Sequence, residues 1–186
     1  IKNNFKTAST DINFALDDES SSVVIATRHN QHAEQVIKSI KSDKNVYVEK
    51  PLCITLEDVH KIEETMLKSN KILMVGYNRR FAPLIKKMKS LLLLKKHPKS
   101  FIFTMCPGSI DNDSWDQDIN EGGGRLIGEA CHYIDLMRFL VGEPIIDYSV
   151  RKLKEFDDNI SLEDKFIISL AFKDGSIGSI NYFANG

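Results

Sequence analysis

Two rhythms of apolar and polar residues divide this chain, and the change from one to the other falls near residue 78. In the first part, short apolar, β-branched runs alternate with stretches of helical periodicity. Val23-Val24-Ile25-Ala26-Thr27, Val46-Tyr47-Val48-Glu49 and Ile72-Leu73-Met74-Val75-Gly76 read as buried parallel strands. Between them, Gln31 to Lys41 places Ala33, Val36, Ile37 and Ile40 at helical spacing. A second helix runs from a Thr55-Leu56-Glu57-Asp58 capping signal to about Asn70, with Leu56, Val59, Ile62, Met66 and Leu67 predicted inward. Strand–helix–strand–helix–strand predicts a parallel sheet with right-handed crossovers, a partial Rossmann-like domain over residues 1–78.

The second part, residues 79–186, reads as an α+β domain with an open antiparallel sheet. A helix over Pro83 to Leu94 leads to a strand over Ser100–Met105, then to a polar loop from Pro107 to Gly124. A long helix is predicted over Arg125–Val141, stopped by Gly142 and Pro144. Strands at Ile145–Lys152, Phe166–Phe172 and Ser176–Phe183 follow, the last two joined by the hairpin turn Lys173-Asp174-Gly175.

Charge narrows the partners. Lys+Arg number 25 against Asp+Glu 26, a net charge of −1, so no basic excess points to nucleic acid or an anionic membrane. Lys86, Lys87, Lys89, Lys95 and Lys96 interleave with Leu84, Ile85, Met88 and Leu91 and read as the solvated side of an amphipathic helix. No apolar run is long enough for a membrane span, and Ile1-Lys2-Asn3-Asn4 does not open a signal peptide. Cys53, Cys106 and Cys131 form no C-x-x-C pair, and their odd number fits reduced thiols in a cytoplasmic protein.

The candidate chemistry gathers at strand ends. The three parallel strands deliver Arg28-His29-Asn30, Lys50-Pro51 and Tyr77-Asn78-Arg79 to one edge of the sheet, where open α/β sheets bind ligands. On the long helix, Gly128, His132, Asp135 and Phe139 share a face opposite the stripe Leu126, Ala130, Ile134, Met137 and Val141. A histidine with an aspartate one turn on suits a general base, because the carboxylate favours the imidazolium; a hydrogen-bonded interface histidine is the competing reading. His29, His32, Cys131 and His132 are metal-ligand types, but Cys131 and His132 are adjacent and no pair lies at i, i+4, so no metal site is expected. Gly122-Gly123-Gly124 lacks the spacing of a dinucleotide or P-loop motif and reads as a loop allowing close backbone approach.

Taken in order, Ile25 to His32, Tyr47-Val48-Glu49-Lys50-Pro51, Val75 to Phe81, and Gly122-Gly123-Gly124 through His132 and Asp135 resemble the glucose–fructose oxidoreductase / inositol dehydrogenase / rhizopine-catabolism (Gfo/Idh/MocA) family of NAD(P)-dependent oxidoreductases. The resemblance covers most of the chain. It implies NAD or NADP as cofactor and a secondary alcohol of a sugar, cyclitol or nucleotide sugar as substrate. It also implies that Lys50 hydrogen-bonds the reacting hydroxyl, with Pro51 following a cis peptide bond, and that His132 is the general base. Thr27, Arg28, His29, His32, Glu49, Lys50, Pro51 and Asn78 would line the cofactor, and Tyr77, Arg79 and Asp135 the substrate. The family's sheet further implies a homo-oligomer built through the C-terminal strands, with Phe101, Ile102, Phe103, Ile177, Ile180 and Phe183 available for pairing.

Three features depart from the family pattern. Many members carry an aspartate where this chain has Gly128; Glu129 beside it lies about a hundred degrees around an ideal helix and is no simple substitute. His29 stands where Asn is common. These two patterns are similar to a subgroup fused to a zinc-dependent alcohol-dehydrogenase-like domain in surface-polysaccharide gene sets. No G-x-G-x-x-G occurs among the ten glycines, so the chain is expected to be an internal fragment whose phosphate-binding turn lies upstream of Ile1 and whose sheet stops short at Asn185-Gly186. A non-catalytic sugar- or dinucleotide-binding regulatory module of the same fold is the alternative function.

Overall fold

The computed structural model describes residues 6–94, 96–111, 113–153 and 164–184; residues 1–4, Lys95 and the terminal Asn185-Gly186 that entered the expectations above lie outside them. A short helix α1 (Ile12–Leu16) is capped by Asp11, whose carboxylate accepts from Asn13 N–H. The strands β1 (Ser22–Ile25), β2 (Asn45–Val48) and β3 (Leu73–Val75) then form one parallel sheet in the order β1-β2-β3. The register sets Val23 beside Val46, Ile25 beside Val48 and Val48 beside Val75. The crossovers are α2 (His32–Lys41) and α3 (Leu56–Leu67). Ile25, Ala33, Val36, Ile40, Val46, Val48, Cys53 and Ile62 make one core, as alternating strand and helical spacings dictate.

The capping signal of α3 is real: Thr55 Oγ1 accepts from Asp58 N–H at 3.1 Å and donates to Asp58 Oδ2 at 2.7 Å. The inward set expected for this helix is narrower than its spacing suggested. Ile62 is buried and Met66 packs against the core, whereas Leu56, Val59 and Leu67 are exposed. The three-residue strand β3 offers too little sheet to cover more than one stripe of the helix.

The second half opens with α4 (Pro83–Leu93) and β4 (Ser100–Met105). No residue of α4 is buried, and Leu84, Met88 and Leu91, expected on its inner side, are exposed. The strands β5 (Ile145–Lys152), β6 (Lys165–Phe172) and β7 (Ile177–Phe183) complete a sheet ordered β4-β7-β6-β5. β5–β6 and β6–β7 are antiparallel, as the short turns predict, but β4 joins β7 in parallel, making the sheet mixed. The parallel pair arises because β4 is separated from the hairpin strands by a helix, which lets the chain return in the same direction.

The helix expected over Arg125–Val141 is two: α5 (Gly124–Gly128) and α6 (Ala130–Val141), broken at Glu129. Gly142 ends α6 at φ 87°, a left-handed conformation that glycine adopts without steric cost. Ala130, Met137 and Val141 pack on Phe166, Ile168, Leu170, Phe172, Ile180 and Tyr182, the second core. The stacked rings of Phe166 and Tyr182 lie 4.9 Å apart at its centre. The other face of α6, with His132 and Asp135, is also buried, because it packs toward the turn Asn78–Phe81 that follows β3. That placement makes the crevice.

Candidate active site

Each parallel strand ends at the crevice. From β2, the chain passes through Glu49 to Lys50 and a cis peptide bond to Pro51. Glu49 accepts from Tyr47 Oη at 3.0 Å, which orients its carboxylate. At the end of β3, a Cβ on Gly76 would stand 2.6 Å from that Tyr47 oxygen, so the glycine admits the pair. His32, fully buried at the start of α2, ties two strand ends together: Nδ1 lies 2.7 Å from Pro51 O and Nε2 3.0 Å from Thr27 O. Both ring nitrogens are thereby engaged with backbone, and His32 acts as a brace for the crevice wall.

Lys50 crosses the crevice. Its Nζ donates to Gly128 O at 2.9 Å and to Glu129 Oε1 at 3.1 Å, at the break between α5 and α6. The carboxylate that an unbroken helix would have turned away thus reaches the lysine, a correction to the expectation for Glu129. An ammonium has three donors. Among the described residues the third N–H of Lys50 has no acceptor.

His132 is 8% exposed, and its Nδ1 is buried without a hydrogen-bond partner. Its pKa is lowered, first by burial and then by the positive charges of Lys50 and Arg79. The ring is therefore neutral near neutral pH and has a lone pair free to accept a proton. Arg79→Gln is expected to move the His132 titration to higher pH, since removing a cation eases protonation; histidine NMR across pH 4 to 8 checks it.

Asp135 does not play the part its spacing suggested. Arg80 grips the carboxylate with two N–H groups, Nε to Oδ2 at 2.6 Å and a second guanidinium nitrogen to Oδ1. An aspartate neutralised in this bidentate way is a clamp between the sheet-end turn and α6, not the partner of His132. Arg80 also lies 5.7 Å from the Phe139 ring, and Arg79 4.7 Å over Tyr133. Tyr77 is half-buried in this corner, its hydroxyl raised well above the ordinary phenol range by burial. Asn78 and Arg79 are exposed beside it.

The loop from Pro107 to Gly124 closes the other side. His29 is buried, with Nδ1 2.7 Å from Gly122 O and its ring edge-on to Trp115 at 4.8 Å. Arg28 pairs with Glu121 and covers the Trp115 ring, while Asn30 N–H donates to Glu121 O at 3.0 Å. Arg28 and His29 thus meet the loop, and Thr27 stays exposed at the rim, donating to Gln35 at 2.9 Å. A cavity of about 170 Å³ lies under the loop, lined by His29, Lys50, Trp115, Asp116, Arg125 and Glu129 among others. Trp115 and Glu121 had no signal in the sequence that singled them out, because each gains its place only through the loop.

Cys131 is not a nucleophile at neutral pH, burial pushing its thiol up to about 12. Among the described residues no three His, Cys, Asp or Glu side chains gather as metal ligands, and no helix is long and apolar enough to cross a membrane.

A parallel three-stranded sheet followed by a mixed four-stranded sheet, with a lysine on the turn after β2 and a histidine on α6, defines a Rossmann-like α/β protein. The chain belongs to the Gfo/Idh/MocA oxidoreductase family: residues 3–77 match its NAD-binding Rossmann-fold domain and residues 99–186 its C-terminal alpha/beta domain. Myo-inositol 2-dehydrogenase of Thermotoga maritima is 29% identical over 168 residues, covering 89% of this chain and 50% of that protein. Levoglucosan dehydrogenase of Pseudarthrobacter phenanthrenivorans is 30% identical over 151 residues, covering 75% of this chain and 38% of that protein. A levoglucosan dehydrogenase structure with NADH and levoglucosan superposes with a TM-score of 0.87 at 24% identity, over 100% of this chain and 54% of that one. The chain spans about half the length of the first of these relatives, and less of the second.

Proposed function

We propose that this chain carries the reaction crevice of an NAD(P)-dependent dehydrogenase acting on a secondary alcohol of a sugar or cyclitol. The observation that carries the reading is the pairing of a cationic donor, Lys50, with a buried, neutral and unpartnered His132 across one crevice. The relatives' names, inositol and levoglucosan dehydrogenases, support the polyol class.

A nicotinamide dinucleotide fits these residues: the carboxyl ends of the parallel strands open onto the crevice, and Thr27 and Arg28 are exposed at its rim. Bound there, the dinucleotide supplies the hydride acceptor. Lys50 directs its remaining N–H at the hydroxyl oxygen and stabilises the negative charge that grows on it. His132 accepts the hydroxyl proton on its imidazole, and the loop bearing Trp115 restricts water. Nucleotide sugars belong to the same proposal as a finer class.

The test is NADH or NADPH formation by the complete protein with a panel of cyclitols, anhydrosugars and nucleotide sugars. Turnover on at least one polyol is expected, while binding of a polyol and dinucleotide without reduction would favour the regulatory module. The domain division near residue 78, a reducing cytosol for its free thiols and self-association through the C-terminal sheet complete the proposal. Of the residues expected to pair, Ile180 is buried in the core and Phe101 and Phe103 pack against it, which corrects that set; exposed Ile102 and Ile177, with Ile146, Tyr148 and Ile167, support the association, and a monomer at all concentrations in sedimentation would contradict it.

A further inference from the structure

We infer that Glu129 is the positioning residue for Lys50, delivered by the helix break that follows Gly128, where close packing of His29 leaves little room for a side chain. The inference rests on reading this crevice as a dehydrogenase site. It starts from the space around Gly128. A Cβ there would stand 3.2 Å from His29 Cε1 and 3.7 Å from Gly122 O. His29 cannot easily give way, because its Nδ1 is held by Gly122 O and its ring abuts Trp115. Residue 128 therefore offers Lys50 its backbone carbonyl at 2.9 Å and no side chain.

Residue 129 supplies the carboxylate instead. Glu129 adopts φ −116° and ψ −43°, which ends α5 and starts α6 without a straight helical run. Its carbonyl still accepts from His132 N–H at 3.1 Å, and its N–H still donates to Arg125 O at 2.9 Å. The break thus costs little in backbone hydrogen bonding, while turning the side chain to Lys50 at 3.1 Å. Lys50 is mostly covered, 18% exposed, and Glu129 36%. With two donors fixed by neighbouring residues of one break, the ammonium is oriented before substrate arrives. The same backbone joint carries His132 three residues on, so one element sets both reactive groups.

Glu129→Gln keeps the shape and removes the charge. It is expected to lower kcat about 10- to 100-fold with the dinucleotide KM unchanged, the scale on which misplacing a catalytic group acts. Glu129→Asp, which keeps the carboxylate on a shorter stem, is expected to recover part of that loss. The second readout does not need turnover: the rate at which acetic anhydride acetylates Lys50, measured by mass spectrometry against exposed surface lysines. It should rise several-fold in Glu129→Gln and fall back toward wild type in Glu129→Asp. An unchanged acetylation rate overturns the inference, whatever the activity. A raised rate with unchanged kcat in an active enzyme also overturns it, since the pair would then not serve the reaction. Wild-type protein that turns over no polyol would sink the dehydrogenase reading separately, and the acetylation ratio would still decide whether Glu129 holds Lys50.

Discussion

Lys50→Met is expected to lower turnover about 10²- to 10³-fold, the range for losing one donor to developing oxyanion charge. The side chain keeps most of its length and its apolar stem, so Gly128 O and Glu129 lose a donor with little change in side-chain volume. His132→Ala is expected to cost about 10²- to 10⁴-fold, the range for a positioned base. The two losses differ in pH dependence. In the parent protein the acid limb of the rate profile follows His132, whose pKa lies below its usual value of 6.5 because of burial, Lys50 and Arg79. The rate rises with pH as the ring loses its proton and levels above that point. In His132→Ala that limb should vanish. In Lys50→Met the residual activity should show it at higher pH, since a cation beside the ring is gone. Steady-state rates from pH 5 to 9 check both.

Gly122→Ala is the second large effect, and it acts through structure. A Cβ at this position would stand 2.3 Å from Asp116 Cα and 2.6 Å from Asp116 C, and backbone cannot swing aside as a side-chain tip can. Gly122 N–H also donates to Asp118 O at 2.8 Å, closing the turn that brings the loop back. The methyl forces residues 116 and 122 apart. That pulls Gly122 O from His29, and it loosens the Arg28–Glu121 pair. A loss of about 1–3 kcal/mol is expected from overpacking, seen as a lower denaturant midpoint at unchanged slope. Substrate KM should rise as well, because Trp115 and Asp116 line the cavity beside Lys50.

The parallel sheet and its polar edge were legible because buried strands and amphipathic helices write their periods into the chain. Val23, Val46 and Leu73 start β-branched or apolar runs that pair as their pattern implies. The cis bond before Pro51 also falls where the family resemblance put it. What stayed hidden depends on a single departure from regularity. An unbroken 3.6-residue period over Arg125–Val141 turns Glu129 away from Lys50 and sets Asp135 under His132. The kink at Glu129 brings Glu129 to Lys50, and the bidentate grip of Arg80 takes Asp135 out of play. Loop partners such as Trp115 and Glu121 have no period to read. The exposed Leu84, Met88 and Leu91 of α4 show the limit of amphipathicity, which says which face is apolar but not what covers it.

The central claim is that this crevice moves hydride from a polyol carbon to a nicotinamide ring, with Lys50 and His132 serving the hydroxyl. The most direct test incubates the complete protein with NAD and a cyclitol deuterated at the reacting carbon, and follows deuterium by NMR. Label on the reduced nicotinamide with the parent protein, appearing about 10²- to 10⁴-fold more slowly with His132→Ala, is the predicted result. A cyclitol that binds beside the dinucleotide while its deuterium stays in place would contradict it.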